Sequence, residues 1–139
     1  MKLITYTDGG SRGNPGPSAL GVYITDAEGN VVKRHGRYLD VQTNNFAEYS
    51  AIVDALKHCL ELGAAEVDMR MDSELAVKQL KGEYKVKNPG IALLFMQVHN
   101  YRLRFKKVTF THVRREYNKE ADAIVNEVLD RHVGKRSHR

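Results

Sequence analysis

Four carboxylates in this chain stand where folded chains tend to place chemistry. Asp8 closes a run of apolar and β-branched residues over 2–7. Glu48 lies in the opening turn of a long helical pattern, Asp72 ends a second alternating run over 67–71, and Asp122 lies early in a last helical pattern. Each has an ordinary structural reading. Asp8 suits the start of a turn. Glu48, three residues after Asn45, suits the acid of a capping box. Asp72 suits the cap of a helix beginning at Ser73, and Asp122 the positive end of a helix. Taken together they suggest something else. Ligands of open α/β sheets sit at strand ends, where two of the four acids lie. Four negative charges brought together repel, and a cation relieves the cost. Hard ions such as Mg²⁺ take oxygen ligands. Two of them about 4 Å apart activate a water and steady a leaving oxygen in phosphodiester cleavage.

The elements that must position these acids follow from periodicity. Strands are expected over 2–7, 20–25 and 31–39, with a ten-residue loop over 8–17 that is rich in glycine and proline. Asp26 to Asn30 forms a turn, so the three strands make an antiparallel meander. A helix over 45–62 brings Ala47, Ala51, Ile52, Ala55, Leu56, Cys59 and Leu60 to one face and stops at Gly63. A strand over 67–71, a short helix over 73–81, a loop over 85–90, a helix over 91–103, a strand over 107–113 and a helix over 116–132 complete the order β-β-β-α-β-α-α-β-α. Residues 133–139 read as a basic tail. The pattern predicts one α/β domain over 1–132, a mixed five-stranded sheet with helices packed on it.

Composition sets the class. The chain has 139 residues with 42% hydrophobic and 28% charged, enough for one domain with a proper core. No apolar run approaches the roughly 20 residues that cross a bilayer, and the opening residues are too polar for a signal peptide. The single cysteine, Cys59, excludes an intramolecular disulfide and a multi-cysteine zinc site, and it reads as a buried structural thiol. The expected compartment is the cytoplasm, with no membrane partner and no protein partner implied, and a monomer as the default. The net charge is +5 and uneven. Between positions 78 and 119 stand eleven Lys/Arg and two acids, and between 40 and 74 eight acids and two bases. A basic second half beside an acidic middle suits a polyanion partner near a carboxylate site.

At four places the residues resemble a known family, type 1 ribonuclease H. The run Tyr6-Thr7-Asp8-Gly9-Gly10-Ser11-Arg12-Gly13-Asn14-Pro15-Gly16-Pro17 is similar to the family's opening. Thr43-Asn44-Asn45-Phe46-Ala47-Glu48 matches its TNN-x-x-E, Asp72-Ser73 its DS pair, and Asn118-Lys119-Glu120-Ala121-Asp122 its N-x-x-A-D. The motifs keep the family's order and cover about 2–129. The resemblance implies the ribonuclease H-like sheet, three antiparallel strands then two parallel, with helices on both faces. It implies that Asp8, Glu48, Asp72 and Asp122 hold two Mg²⁺ ions, with Mn²⁺ as a substitute, and that the reaction is hydrolysis of the RNA strand of an RNA/DNA hybrid to 5′-phosphate and 3′-hydroxyl ends. Substrate contacts carried over by position are Asn14, Asn44 and Asn45 for the minor groove and sugars, with Thr43 and Asn88 for a DNA-strand phosphate; Gly10 and Ser11, in the same loop as Asn14, offer backbone or hydroxyl contacts. Ser73 and Lys87 join the substrate-binding set.

Two departures from the family matter. The basic insertion that many bacterial members carry after the second helix is missing, as in a short form similar to archaeal and some bacterial members. Lys85, Lys87 and the tail residues Lys135, Arg136 and Arg139 are the candidate replacements. The family's flexible-loop histidine has two counterparts. Counting back from Asp122 without gaps gives His112. Matching the strand gives Arg115, which is favoured because His112 falls inside the alternating run 107–113. An arginine there holds phosphate but cannot be a general base at neutral pH. The alternative function is a non-catalytic module of the same fold that binds hybrid or double-stranded RNA.

Overall fold

The protein is described by a computed structural model covering residues 1–134. Strands β1 (Lys2–Ser11), β2 (Gly16–Asp26) and β3 (Val31–Gln42) form the antiparallel meander. Strands β4 (Glu66–Met71) and β5 (Lys107–His112) run parallel to β1, giving the order β3-β2-β1-β4-β5. β1 is thus the central strand. The pleat sends Leu3, Thr5 and Thr7 into the core and Ile4, Tyr6 and Asp8 to the opposite face. The β2–β3 turn is built on Asp26, whose carboxylate accepts from the backbone amides of Glu28 and Asn30 and from the Asn30 side chain.

Helices α1 (Asn44–Glu61), α2 (Glu74–Leu80), α3 (Pro89–Arg102) and α4 (Lys119–Val133) follow, with a 3₁₀ turn at Arg115–Tyr117. Local caps set where they begin. Thr43 accepts from Phe46 N at α1, Ser73 from Ala76 N at α2, and Asn88 from Gly90 N and Ile91 N at α3. The cap assignments rule out two ordinary readings of the acids. Glu48 is the fifth residue of α1 and no capping-box partner, and Ser73, not Asp72, caps α2.

The ten residues expected to form a loop over 8–17 are mostly strand. β1 continues to Ser11 and pairs there with Ser18, and β2 begins at Gly16. The glycines serve close approach here rather than turning. A Cβ on Gly9 would overlap the backbone of Ala47 and Glu48 in α1, while one on Gly10 would point at Val125 of α4. Neighbouring residues of one strand face opposite ways, so α1 and α4 lie on opposite faces of the sheet.

The two sides are unequal. Between the sheet and α1–α3 lies the main core, with Leu3, Val22, Ile24, Ile52, Leu56, Met69 and Val98 all but sealed from solvent. Each such side chain contributes about 1.5–3 kcal/mol. Cys59 belongs to this core, and burial pushes its thiol up to about 12. Under α4 the buried apolar residues are Ala19, Ala121, Ile124, Val125, Val128 and Leu129, with Tyr38 against them. The last helix starts at Lys119 rather than 116, because the 3₁₀ turn takes up the residues before Asn118. It also runs through Val133, so the expected tail loses its first residue to α4. Lys135, Arg136 and Arg139 lie outside the described residues.

Candidate active site

The four acids reach one place by four different routes. Asp8 stands in β1 opposite Gly21, within the strand rather than closing it. The β1–β4 ladder ends at the Thr7–Met71 pair, so Asp8 and Asp72 emerge side by side just past it. Glu48 is brought in by α1, whose backbone rests on Gly9. Asp122 is brought in by α4, where the Ala121 carbonyl sits against Gly21 with no room for a side chain between them. Asn118 completes the placement. It is fully buried, and its side-chain amide donates to the Thr7 carbonyl at 2.9 Å, next to Asp8.

A cleft of about 300 Å³ results, lined by Asp8, Glu48, Asp72 and Asp122 together with Gly9, Gly10, Ser11, Arg12, Asn44, Arg115 and Asn126. A larger open groove of about 530 Å³ runs between α1 and α3. Its one acid, Asp54, is already held by Arg37 and His35, so its size marks no convergent chemistry.

The electrostatics of the cleft are those of crowded acids. Burial, then Asp72, Asp122 and Glu48, push the Asp8 carboxyl up to about 8, against a backbone amide bond at Gly9 that pulls it down. Burial pushes Glu48 up to about 7, with Asp72 adding to the rise and a hydrogen bond with Ser73 opposing it. When no cation is bound, Asp8 favours the protonated form at neutral pH and Glu48 is about evenly divided. The donors are hard oxygens throughout, the set that suits Mg²⁺ or Mn²⁺. Among the described residues no three acidic, histidine or cysteine groups converge at ligating distance on one point. The four acids ring the cleft and are the groups that would hold a cation there.

Of the other residues singled out in the sequence, Gly10, Ser11, Asn44 and Arg115 line the cleft and the rest do not. Asn14 lies beside it, its side-chain oxygen accepting from Asn44 N at 3.1 Å, while Asn44 Oδ1 accepts from Ser11 N at 2.9 Å. Thr43 and Ser73 are helix caps, with Ser73 also bonded to Glu48. Asn88 caps α3, and Asn45 and Lys87 are exposed. His112 is the last residue of β5, paired with Met71. Two of the lining residues with polar side chains were not anticipated as site residues, Arg12 and Asn126. Arg12 was visible only as part of a glycine-rich motif, and Asn126, one turn after Asp122 on α4, carried no signal of its own.

This sheet order, with acids gathered past the end of its central ladder, defines a ribonuclease H-like nuclease fold. The family described as Reverse transcriptase-like matches residues 6–128. Ribonuclease H1 from the halophilic archaeon Halobacterium salinarum superposes with a TM-score of 0.92 at 36% identity, over 94% of this chain and 99% of that one. LC11-RNase H1, solved in complex with an RNA/DNA hybrid, superposes at 0.89 and 42% identity, over 93% and 97%. The chain belongs to the type 1 ribonuclease H family. Among curated relatives, the bifunctional protein Rv2228c of Mycobacterium tuberculosis is 36% identical over 94% of this chain, which spans 36% of that protein's length. Ribonuclease HI of Halobacterium salinarum is 38% identical over 93% of this chain, which spans 65% of its length.

Proposed function

We propose that this chain is an endoribonuclease that hydrolyses the RNA strand of RNA/DNA hybrids at Asp8, Glu48, Asp72 and Asp122. The observation that carries the reading is the single cleft lined by all four acids, three of which raise the fourth. Membership of the type 1 family and the hybrid-bound LC11 relative support the substrate.

The four carboxylates would hold two Mg²⁺ ions, which supply an activated water and charge neutralisation at the departing 3′ oxygen. The chain's own residues do the rest. Asp8, on the most constrained strand, fixes the centre of the site. Asn118 holds the start of α4, and with it Asp122, to that strand. Arg115 brings a fixed positive charge to a cleft otherwise dominated by acids, suited to a phosphate of the attacked strand or product. Asn14 and Asn44 spend their oxygens on backbone amides, leaving their NH₂ groups as donors for acceptors in the minor groove or for a 2′-hydroxyl oxygen. The products carry 5′-phosphate and 3′-hydroxyl ends.

The test is cleavage of an end-labelled RNA/DNA hybrid by wild type and Asp72→Asn, in Mg²⁺ or in EDTA, beside the same RNA single-stranded and in an RNA duplex. Hybrid-selective cutting that needs both the ion and Asp72 is the expected result. No cutting in Mg²⁺ or Mn²⁺, with salt-sensitive hybrid binding retained, would make the chain a binding module instead.

A further inference from the structure

The connection between β1 and β2 is held from two directions. On one side its polar atoms engage the first residue of α1, through Ser11 N to Asn44 Oδ1 and Asn44 N to Asn14 Oδ1. On the other side Arg12 reaches across to the last turn of α4. Its guanidinium donates to Asp130 Oδ1 at 2.6 Å and to the Gly134 carbonyl at 3.0 Å. α1 and α4 lie on opposite faces of the sheet, so one short segment bridges both.

Three features single out Arg12. Its side chain is only 13% exposed, far less than the other arginines in ion pairs on this chain. Its Nε is buried with no partner, an uncompensated cost that a lysine would not carry. The planar fork, however, reaches a carboxylate and a helix-end carbonyl together. No side-chain cap closes the start of α4, so the Arg12 contact holds its end by a polar grip that its start lacks. A cation at the C-terminal end of a helix is favourable in its own right.

We propose that Arg12 is a positioning residue for substrate reading. By fixing the β1–β2 connection to the end of α4, it holds Ser11, Asn14 and Asn44 in the arrangement that turns the two asparagine NH₂ groups outward. This rests on the hybrid-cleaving reading of the site. It assigns Arg12 to substrate grip and discrimination, and leaves the chemical step to the carboxylates and to Asn118, which secures the other end of α4.

The experiment compares wild type, Arg12→Ala, Arg12→Lys and the exchanged pair Arg12→Asp with Asp130→Arg. Val98→Ala, in the opposite core, serves as a control of lowered stability. Amide hydrogen exchange is read at Ser11 and Asn44. Affinity for an RNA/DNA hybrid and for a DNA duplex is read in EDTA, and KM and kcat are read in Mg²⁺. Arg12→Ala is expected to speed exchange at both amides, to weaken hybrid binding and raise KM about tenfold, and to narrow the preference for hybrid over DNA, with kcat within about twofold. Arg12→Lys should recover little, and the exchanged pair, which restores the ion pair but not the bond to the Gly134 carbonyl, only part of the loss. Unchanged exchange at Ser11 and Asn44 overturns the clamp. Faster exchange with unchanged hybrid preference, or the same KM change in Val98→Ala, overturns its role in substrate reading. A wild type that neither binds nor cuts the hybrid overturns the functional reading instead, and the exchange data still decide the clamp.

Discussion

Asn118 occupies the position before α4 where an asparagine would ordinarily cap the helix, yet its side chain turns away and donates to the carbonyl of Thr7 at 2.9 Å. That carbonyl belongs to the peptide bond leading into Asp8. The Asn118 carbonyl in turn accepts from the backbone amide of Asp122 at 3.2 Å. One buried residue therefore connects the backbones that carry two of the four acids.

Removing this bridge should uncouple the two acids before it unfolds the protein. Asn118→Ala leaves the Thr7 carbonyl unpartnered in the interior, at about 1–3 kcal/mol. Asn118→Asp puts a carboxylate against that carbonyl and should be worse. The expected outcome in Asn118→Ala is a modest loss of thermal stability with a disproportionate fall in hybrid cleavage, measured as kcat at saturating Mg²⁺. Full activity at the lowered stability would show that Asp122 finds its place without the bridge.

The raised carboxyls set a pH dependence of known sign. Asp8 moves from 3.8 to about 8 and Glu48 from 4.5 to about 7 on folding. Above pH 4 the unfolded chain releases protons that the folded cleft keeps. Without divalent ions, stability from these groups is therefore full below about pH 4 and is lost as pH rises towards 8. Between pH 5 and pH 8 both groups lower stability in the same direction, so the fall should be steepest across that range. Asp8→Asn should flatten the slope and melt higher than wild type at pH 8. Mg²⁺ should raise the wild-type melting temperature at that pH and leave Asp72→Asn nearly unmoved. Chemical unfolding across the pH series, with and without EDTA, checks both.

Arg115 and His112 now have different surroundings. Arg115 lines the acid cleft, whereas His112 ends β5 outside it. Arg115→Ala should lower kcat/KM on the hybrid by roughly tenfold or more. His112→Ala should stay within about twofold and leave the pH–rate profile unchanged. A profile that loses a limb in His112→Ala would reverse the assignment.

Gly9 and Gly21 tolerate no side chain, for each would overlap helix backbone. Gly9→Ala must push α1 away from β1 and should cost at least about 3 kcal/mol. Gly29→Ala is the comparison. It meets nothing nearby but sits at φ +90°, so only local backbone strain is at stake, about 1 kcal/mol. Equal melting temperatures for the two variants would disprove the close approach.

Much of this architecture was legible because it is local. Apolar and β-branched runs, two of them alternating, placed all five strands, and the helical stripe from Ala47 to Cys59 placed α1 within a residue. Short-range chemistry misled where two signals coincided. Glycine and proline over 8–17 read as a loop because their other use, admitting a second helix to within backbone contact, leaves the same residues. Asn45, Asp72 and Ser73 all suit caps, and only the geometry shows that Thr43 and Ser73 do the capping and leave Glu48 and Asp72 to the cleft. The Arg12–Asp130 pair spans 118 residues, a separation at which no periodicity or spacing speaks. The same holds for Asn118 and Thr7, whose motif marked the residue without revealing the bond.

The contact between α1 and Gly9 has a bearing on how the cleft accommodates ions of different radius. A helix resting directly on a strand backbone has no compressible side chain between them, so Glu48 and Asp8 cannot approach or separate by a hinge of α1. Any accommodation falls to carboxyl torsions, which are soft and cost little. The backbone spacing between residues 8 and 48 should then be the same with Mg²⁺, with the larger Mn²⁺, or with neither, and tolerance of metal exchange would be a property of four rotating carboxyl groups on an unyielding frame.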